Sequence, residues 1–393
     1  LLSSLYASLM VLLAAGCLLV SPLDLAAQAP PGSGEPILVA SGIDPRVPPV
    51  ITLDPKGQGY LVWQEPSALS EMSRLQVATW PYDTVSTVGQ FRQAPGAAAL
   101  STFWKPLQAV ARERLAVAWS DGASADASVF AGAAGEEPIS WAPGQANAWA
   151  FALDDKQALS VAWWAGDGIV VEQPAHGSVM SFSRDVDGIV RDLLLSYGTD
   201  GTGYLIWSQT DSEGSPGGIR AVPLVPDGRI MGVTGSGVLK GAAVDGTGAL
   251  HVAWVDDAGL WLGSPVDPEA TGLVRTGVAV EAPVALAAGP DGYVQLVWAE
   301  SGMLHYALSA DWLATHSELP GANVTTLALA VDSDNRPHIA WVEQPPDTEA
   351  KLLLVEPPPA PPMVAVTWPP AGETVRPDDD VRAATNLAPG EWD

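Results

Sequence analysis

The stretch Ala242–Trp254, AAVDGTGALHVAW, decides how this chain is read. An apolar run leads into an Asp/Gly turn, a second apolar run leaves it, and a tryptophan closes the phrase. Ile51–Trp63 (ITLDPKGQGYLVW) and Leu327–Trp341 (LALAVDSDNRPHIAW) repeat it, and weaker copies end at Trp119, Trp163, Trp207 and Trp298. The tryptophans are separated by 56, 44, 44, 47, 44 and 43 residues. A period of about 45 residues with short strands and tight turns is what one four-stranded propeller blade needs. The runs are apolar on both strand faces, as a sheet must be when neighbours cover both its sides. The sequence therefore predicts an all-β, seven-bladed β-propeller over residues 36–356.

The unit ending the sixth phrase shows the expected strands: Leu273–Val280, Pro283–Ala288, Tyr293–Trp298 and Met303–Ser309, with a turn at Gly289–Gly292. The last unit has strands at Thr325–Val331, His338–Val342 and Lys351–Val355, and then Pro357–Pro359 stops it, because proline cannot donate to a ladder. The last blade is thus short of its outer strand, while the first unit has a spare one at Ile37–Ser41. Pairing the spare strand with the final blade would close the ring and hide two sheet edges. The aliphatic residue two before each tryptophan (Leu61, Val117, Val161, Leu205, Val252, Leu296 and Ile339) shares its strand face and belongs with it in the core.

Beyond the array, residues 357–362 form a stiff Pro-rich linker. Residues 363–393 follow, with alternating VAVTW, a GET turn and VRAAT. They resemble the opening strands of an immunoglobulin-like module of bacterial surface proteins, and are too few to fold alone.

At the other end, Leu5–Val20 is almost wholly apolar and is followed by small residues and then Pro/Gly. Residues 1–29 thus read as a secretory signal or a lipoprotein signal or anchor. Leu13–Cys17 resembles a lipobox, which makes Cys17 the candidate lipidation site. As the chain's one cysteine, Cys17 has no disulfide partner. The expected location is outside the cell or on its surface, with the membrane touched only through the N-terminal segment.

The chain has 18 Lys and Arg against 45 Asp and Glu, a net charge of −27. Such a surface repels phosphate backbones, so nucleic acid is excluded as a partner, and a monomer is expected to stay soluble by its charge.

On its repeat the chain resembles the broad class of secreted bacterial seven-bladed propellers, some of them sialidase-like. The resemblance implies the fold and export; the sialidase Asp-box spacing is not matched, since Asp245 lies nine residues before Trp254. No repeat tryptophan is followed by Asp, so the WD pattern is absent as well.

Several candidate sites remain. Two residues after the repeat tryptophan stand Glu65, Asp121, Asp256, Glu300 and Glu343, with Gln209 in another copy. Ring closure would gather them on one rim, where carboxylates either bind Ca²⁺ or a cationic ligand or merely solvate an exposed turn. Asp332–Asn335 partly resembles a calcium loop, but Arg336-Pro337 stands where such a loop needs its bend, and a plain Asp/Asn turn explains it. Three before the tryptophan come Tyr60, Ser160, Tyr204, His251, Gln295 and His338, read as residues packed between blades with a hydrogen-bonded polar tip. The long segments 64–74, 92–105 and 208–218 are candidate binding loops, with Trp104 and Lys105 as candidate ligand contacts. The functional expectation is a binding scaffold at the cell surface for a glycan or protein, with no cofactor assigned beyond the Ca²⁺ option. The alternatives are a glycan-active hydrolase or lyase, or a passive spacer for a catalytic domain beyond residue 393.

Overall fold

The computed structural model describes most of residues 35–355, together with 364–368 and 382–385. Outside it lie residues 1–34 and 356–363 and, within the array, 67–71, 93–106, 121–124, 142–147, 183–187, 211–215, 266–270 and 309–316 among the longer stretches. The candidates Cys17, Trp104, Lys105 and Asp121 therefore lie outside the described residues, as do the signal segment and the linker.

Each repeat tryptophan sits on the second strand of its own antiparallel sheet, so each sheet is named here by its tryptophan. Six sheets take consecutive strands. The Trp63 sheet is Val50–Leu53, Gly59–Pro66, Met72–Thr79 and Thr84–Arg92. The Trp119 sheet is Leu107–Ala111, Leu115–Ser120, Ala125–Ala131 and Ile139–Trp141, with Ala134–Gly135 beside its third strand. Next come Trp149–Leu153, Leu159–Trp164, Ile169–Gln173 and Ser178–Phe182 around Trp163. The Trp207 sheet is Ile189–Tyr197, Gly203–Thr210, Pro216–Pro223 and Met231–Thr234. The Trp254 sheet is Val238–Val244, Leu250–Asp256, Gly259–Gly263 and Gly272–Thr276. The Trp298 sheet is Val284–Ala288, Val294–Glu300, Met303–Leu308 and Ser317–Leu319. The sheet of Trp341 differs, being composite: Val324–Val331, Pro337–Glu343 and Lys351–Val355 are completed by Ile37–Ser41 from the far end of the array. Ile37 pairs with Leu354 and Ser41 with Lys351, with a register shift between Leu38 and Ala40.

The first strands of successive sheets contact one another in a closed cycle, the Trp341 sheet meeting the Trp63 sheet. This is the β-propeller arrangement. Every apolar cluster spans two neighbouring sheets. Leu61 and Trp63 pack with Ala340, Val342, Leu352 and Leu354 of the composite sheet, while Val62 faces the other way, onto Leu115, Val117 and Trp119. Strand alternation thus sends the tryptophan to the preceding sheet and its neighbour to the next. The seven aliphatic residues two before the tryptophans are all buried, at 0–1% exposure. The tryptophans are buried too, except Trp163, which is only half-buried opposite Trp149.

Trp254 shows how closely the ring is fitted. A Cβ at Gly237 would come within 2.8 Å of its indole, and one at Gly263 within 2.9 Å. Any larger residue at either place would push the indole off its neighbours.

The turn between first and second strands is one device used repeatedly. Asp54, Asp154, Asp245 and Asp332 each accept, through Oδ1, the backbone N–H groups two and four residues on. The same aspartates donate their own N–H to the carbonyl four residues on. The residue three after the turn's first position has positive φ: Gly57 at 82°, Gly201 at 84°, Gly248 at 86°, Gly292 at 87° and Asn335 at 61°. Glycine, or asparagine with its local hydrogen bonding, tolerates that region best. Asp332–Asn335 is therefore a member of this turn family, in accord with the turn reading.

Two expectations need correction. Leu273–Val280 does not open the Trp298 unit: Gly272–Thr276 is the outer strand of the Trp254 sheet, and residues 277–282 connect the two sheets. The propeller unit thus starts one strand later than the sequence phrase suggests, because the outer strand pairs backward with its third strand. The immunoglobulin-like module is also not what the described residues form. Val364–Trp368 and Arg382–Thr385 make a single antiparallel pair, and two strands provide no second sheet to pack against.

Candidate functional site

Four candidate carboxylates, Glu65, Asp256, Glu300 and Glu343, stand at the end of the second strand of their sheets, two residues past an indole on the same strand face. That spacing dictates what they do. Glu65 Oε1 accepts the N–H of Trp63 at 3.1 Å, and its Oε2 accepts from Gln76 Nε2 at 2.8 Å. Gln76 in turn accepts from Thr87 Oγ1 at 2.9 Å. One polar row thus crosses three strands of the Trp63 sheet. Glu343 Oε1 accepts the N–H of Trp341 at 2.9 Å.

Asp256 has a shorter side chain and reaches the third strand instead. Its Oδ1 accepts from Trp261 Nε1 at 2.8 Å and from the backbone N–H of Ala258, and Trp261 stacks on Trp254 with centroids 6.1 Å apart. Glu300 bridges sheets: its Oε2 accepts from Arg275 Nε, on the outer strand of the preceding sheet, at 3.0 Å. His305 Nε2 lies 3.9 Å from the same oxygen, its ring stacked on Trp298 at 5.4 Å. These four carboxylates are spread over four sheets and held by separate partners. Among the described residues no group of three His, Cys, Asp or Glu side chains converges as a metal site.

The Trp207 sheet breaks the pattern. Gln209 replaces the acid, and Arg220 stands opposite Trp207 where Gln76 stands opposite Trp63. Trp207 Nε1, Gln209 Oε1 and Arg220 Nε are all buried without a hydrogen-bond partner.

At four of the six positions three before the tryptophan, Ser160, His251, Gln295 and His338, the polar tip is hydrogen-bonded. Gln295 donates to the Asn335 carbonyl of the next sheet at 2.9 Å and accepts from Tyr306 at 3.0 Å. Ser160 and Tyr197, on adjacent sheets, share a 2.9 Å hydrogen bond, and Gln173 donates to both. His251 Nε2 is 2.7 Å and His338 Nε2 3.4 Å from the turn carboxylate of its own sheet, Asp245 and Asp332 respectively. Burial pushes the carboxyls of Asp245 and Asp332 upward. Hydrogen bonds from Thr247, His251 and Ala249 in one case, and from His338 and the Arg336 and Asp334 backbone in the other, outweigh it and hold both below the ordinary aspartate value. The two histidines serve separate turns.

Sequence reasoning did not single out Arg220, Trp261 or Arg275. Arg220 and Trp261 face a repeat tryptophan across the ladder, 13 residues after Trp207 but only 7 after Trp254, so no fixed spacing marks them.

No family model matches the chain, and no curated protein does. Among solved structures, BBS1N in complex with ARL6DN superposes with a TM-score of 0.51 at 12% identity, covering 82% of this chain and 95% of that one. The Dos1 propeller superposes with a TM-score of 0.50 at 9% identity, with coverage of 82% and 95%. Virginiamycin B lyase from Staphylococcus aureus aligns at 0.48 and 12% identity, covering 82% and 99%. These likenesses concern the propeller fold alone.

Proposed function

We propose that this chain is an exported or cell-surface binding scaffold whose loop face takes a glycan or protein ligand. In this reading the composite Trp341 sheet acts as the seventh blade, and the protein works as a monomer tethered, if at all, through its N-terminal segment. The observation that carries the proposal is the employment of the rim carboxylates. Glu65, Asp256 and Glu343 each accept an indole N–H, and Glu300 pairs with Arg275. Their chemistry goes into holding a rigid frame, and rigid frames that display variable loops are a common basis for recognition.

The test is to probe the purified, labelled full chain on a printed array of acidic and neutral glycans, with reducing-end release measured on every glycan bound. Saturable binding without turnover is expected, weakened by Trp104→Ala or Lys105→Ala. Saturable release of reducing ends would replace the scaffold reading with the hydrolase one.

A further inference from the structure

The geometry points to a recognition subsite for a hydroxylated carboxylate, of the kind a uronic acid presents, at the rim of the Trp207 sheet. In the Trp63 sheet the row Trp63, Glu65, Gln76 and Thr87 is closed, every donor meeting an acceptor. The Trp207 sheet has Gln209 in place of the acid, with a register shift in the ladder on each side of it. Its row runs Leu193, Trp207, Arg220 and Gly232 across four strands, with Gln209 two residues past the tryptophan on the same strand face.

Trp207 is fully buried and Gln209 is 8% exposed, yet the indole Nε1, the amide Oε1 and the guanidinium Nε have no partner. Buried polar atoms are rarely left in this state. Two donors and one acceptor define the complement: a carboxylate for Trp207 Nε1 and Arg220 Nε, and a hydroxyl for Gln209 Oε1. Such a carboxylate would stand in for the one that Glu65 provides in its own sheet. Charged hydrogen bonds to a guanidinium are the stronger kind, which favours an anion over a neutral amide.

The backbone is shaped around the row. A Cβ at Gly217 would come within 2.6 Å of the Gln209 carbonyl oxygen, so a glycine is what lets the third strand close against that residue. Gly232, at the end of the row, leaves the guanidinium lying over bare backbone, its Cβ position 3.8 Å from Nη1. Entry of a ligand to the buried Trp207 indole requires the Gln209 side chain, 8% exposed at the rim end of the row, to turn aside. The subsite deepens the glycan-binding proposal, which it would extend to acidic sugars, but its chemistry is tested without a polymeric ligand.

The experiment is a titration of the full chain with galacturonate, followed by the indole N–H resonance of Trp207, which Trp207→Phe identifies. Lactate and acetate are run in parallel, and galactose serves as the neutral control. A saturable shift is expected with galacturonate, a weaker one with lactate and acetate, and none with galactose. Arg220→Gln should raise the galacturonate Kd at least about tenfold, the usual effect of losing a charged hydrogen bond. Gln209→Glu supplies the missing acid in place and should abolish the shift while raising the Tm by about 2–4 °C. If Arg220→Gln does not fold, Gln209→Glu and the wild-type titration still decide. No Trp207 shift with galacturonate, or an undiminished one in Gln209→Glu, overturns the subsite. Glycan-array binding that survives either result leaves the scaffold reading standing.

Discussion

Replacing Glu65 by alanine takes the acceptor from two buried donors on the central strands of the sheet, the Trp63 indole and the Gln76 amide. A loss of about 1–3 kcal/mol follows from leaving buried donors unpaired. Glu65→Gln keeps one acceptor oxygen and should lose less. Urea denaturation of both variants checks the order, and equal losses would mean that charge, not the indole bond, carries the effect. Trp254→Ala is a core truncation between two glycines that cannot fill the space, with an expected cost of about 3–5 kcal/mol. The acid's position after the tryptophan was legible in the sequence. Its partner was not, because Glu65 and Glu343 reach their own strand's indole, Asp256, one methylene shorter, turns to Trp261 across the ladder, and Glu300 turns to Arg275 of the preceding sheet.

Among the elements, the Asp turn and the closing strand carry the clearest tests. Asn335 sits at φ 61° where four other turns place glycine. Asn335→Ala should destabilise by about 1–2 kcal/mol and Asn335→Gly by little or nothing. Thermal melts of the pair separate backbone strain from loss of the side chain. The closing strand Ile37–Ser41 is the outer strand of the Trp341 sheet, and its removal bares the Lys351–Val355 edge. A chain lacking residues 1–41 should melt at a lower temperature and self-associate on light scattering, since an unpaired edge is a template for another strand. The spare strand could be predicted from the sequence because Pro357–Pro359 denies the last sheet a local fourth strand. The ownership of Gly272–Thr276 could not, because an outer strand and the following inner strand look alike until pairing is known.

For the whole molecule, pH sets two effects against each other. Asp245 and Asp332 have depressed carboxyl values in the folded state, so their stabilisation is fully present above the unfolded value of about 4 and is lost as pH falls through the folded values. Acidification toward the pI of 4.2 also relieves the self-repulsion of a chain carrying −27, which stabilises. In 0.3 M salt the second effect is screened, and the denaturation midpoint should hold from pH 7 to about 5 and fall below about 4. Asp245→Asn should be less stable at pH 7 and show a shallower acid limb; an unchanged limb would place the acid sensitivity elsewhere. The sequence by itself determined the repeat, the all-β class, the turn chemistry and the need for a strand from the far end. These depend on local patterning, and local patterning survives in one dimension. Only the tertiary structure decided which side chains answer the rim acids and which sheet leaves its tryptophan, amide and arginine unanswered. Those relations run across ladders and between sheets, where loop length, free to vary from one repeat to the next, erases any fixed spacing along the chain.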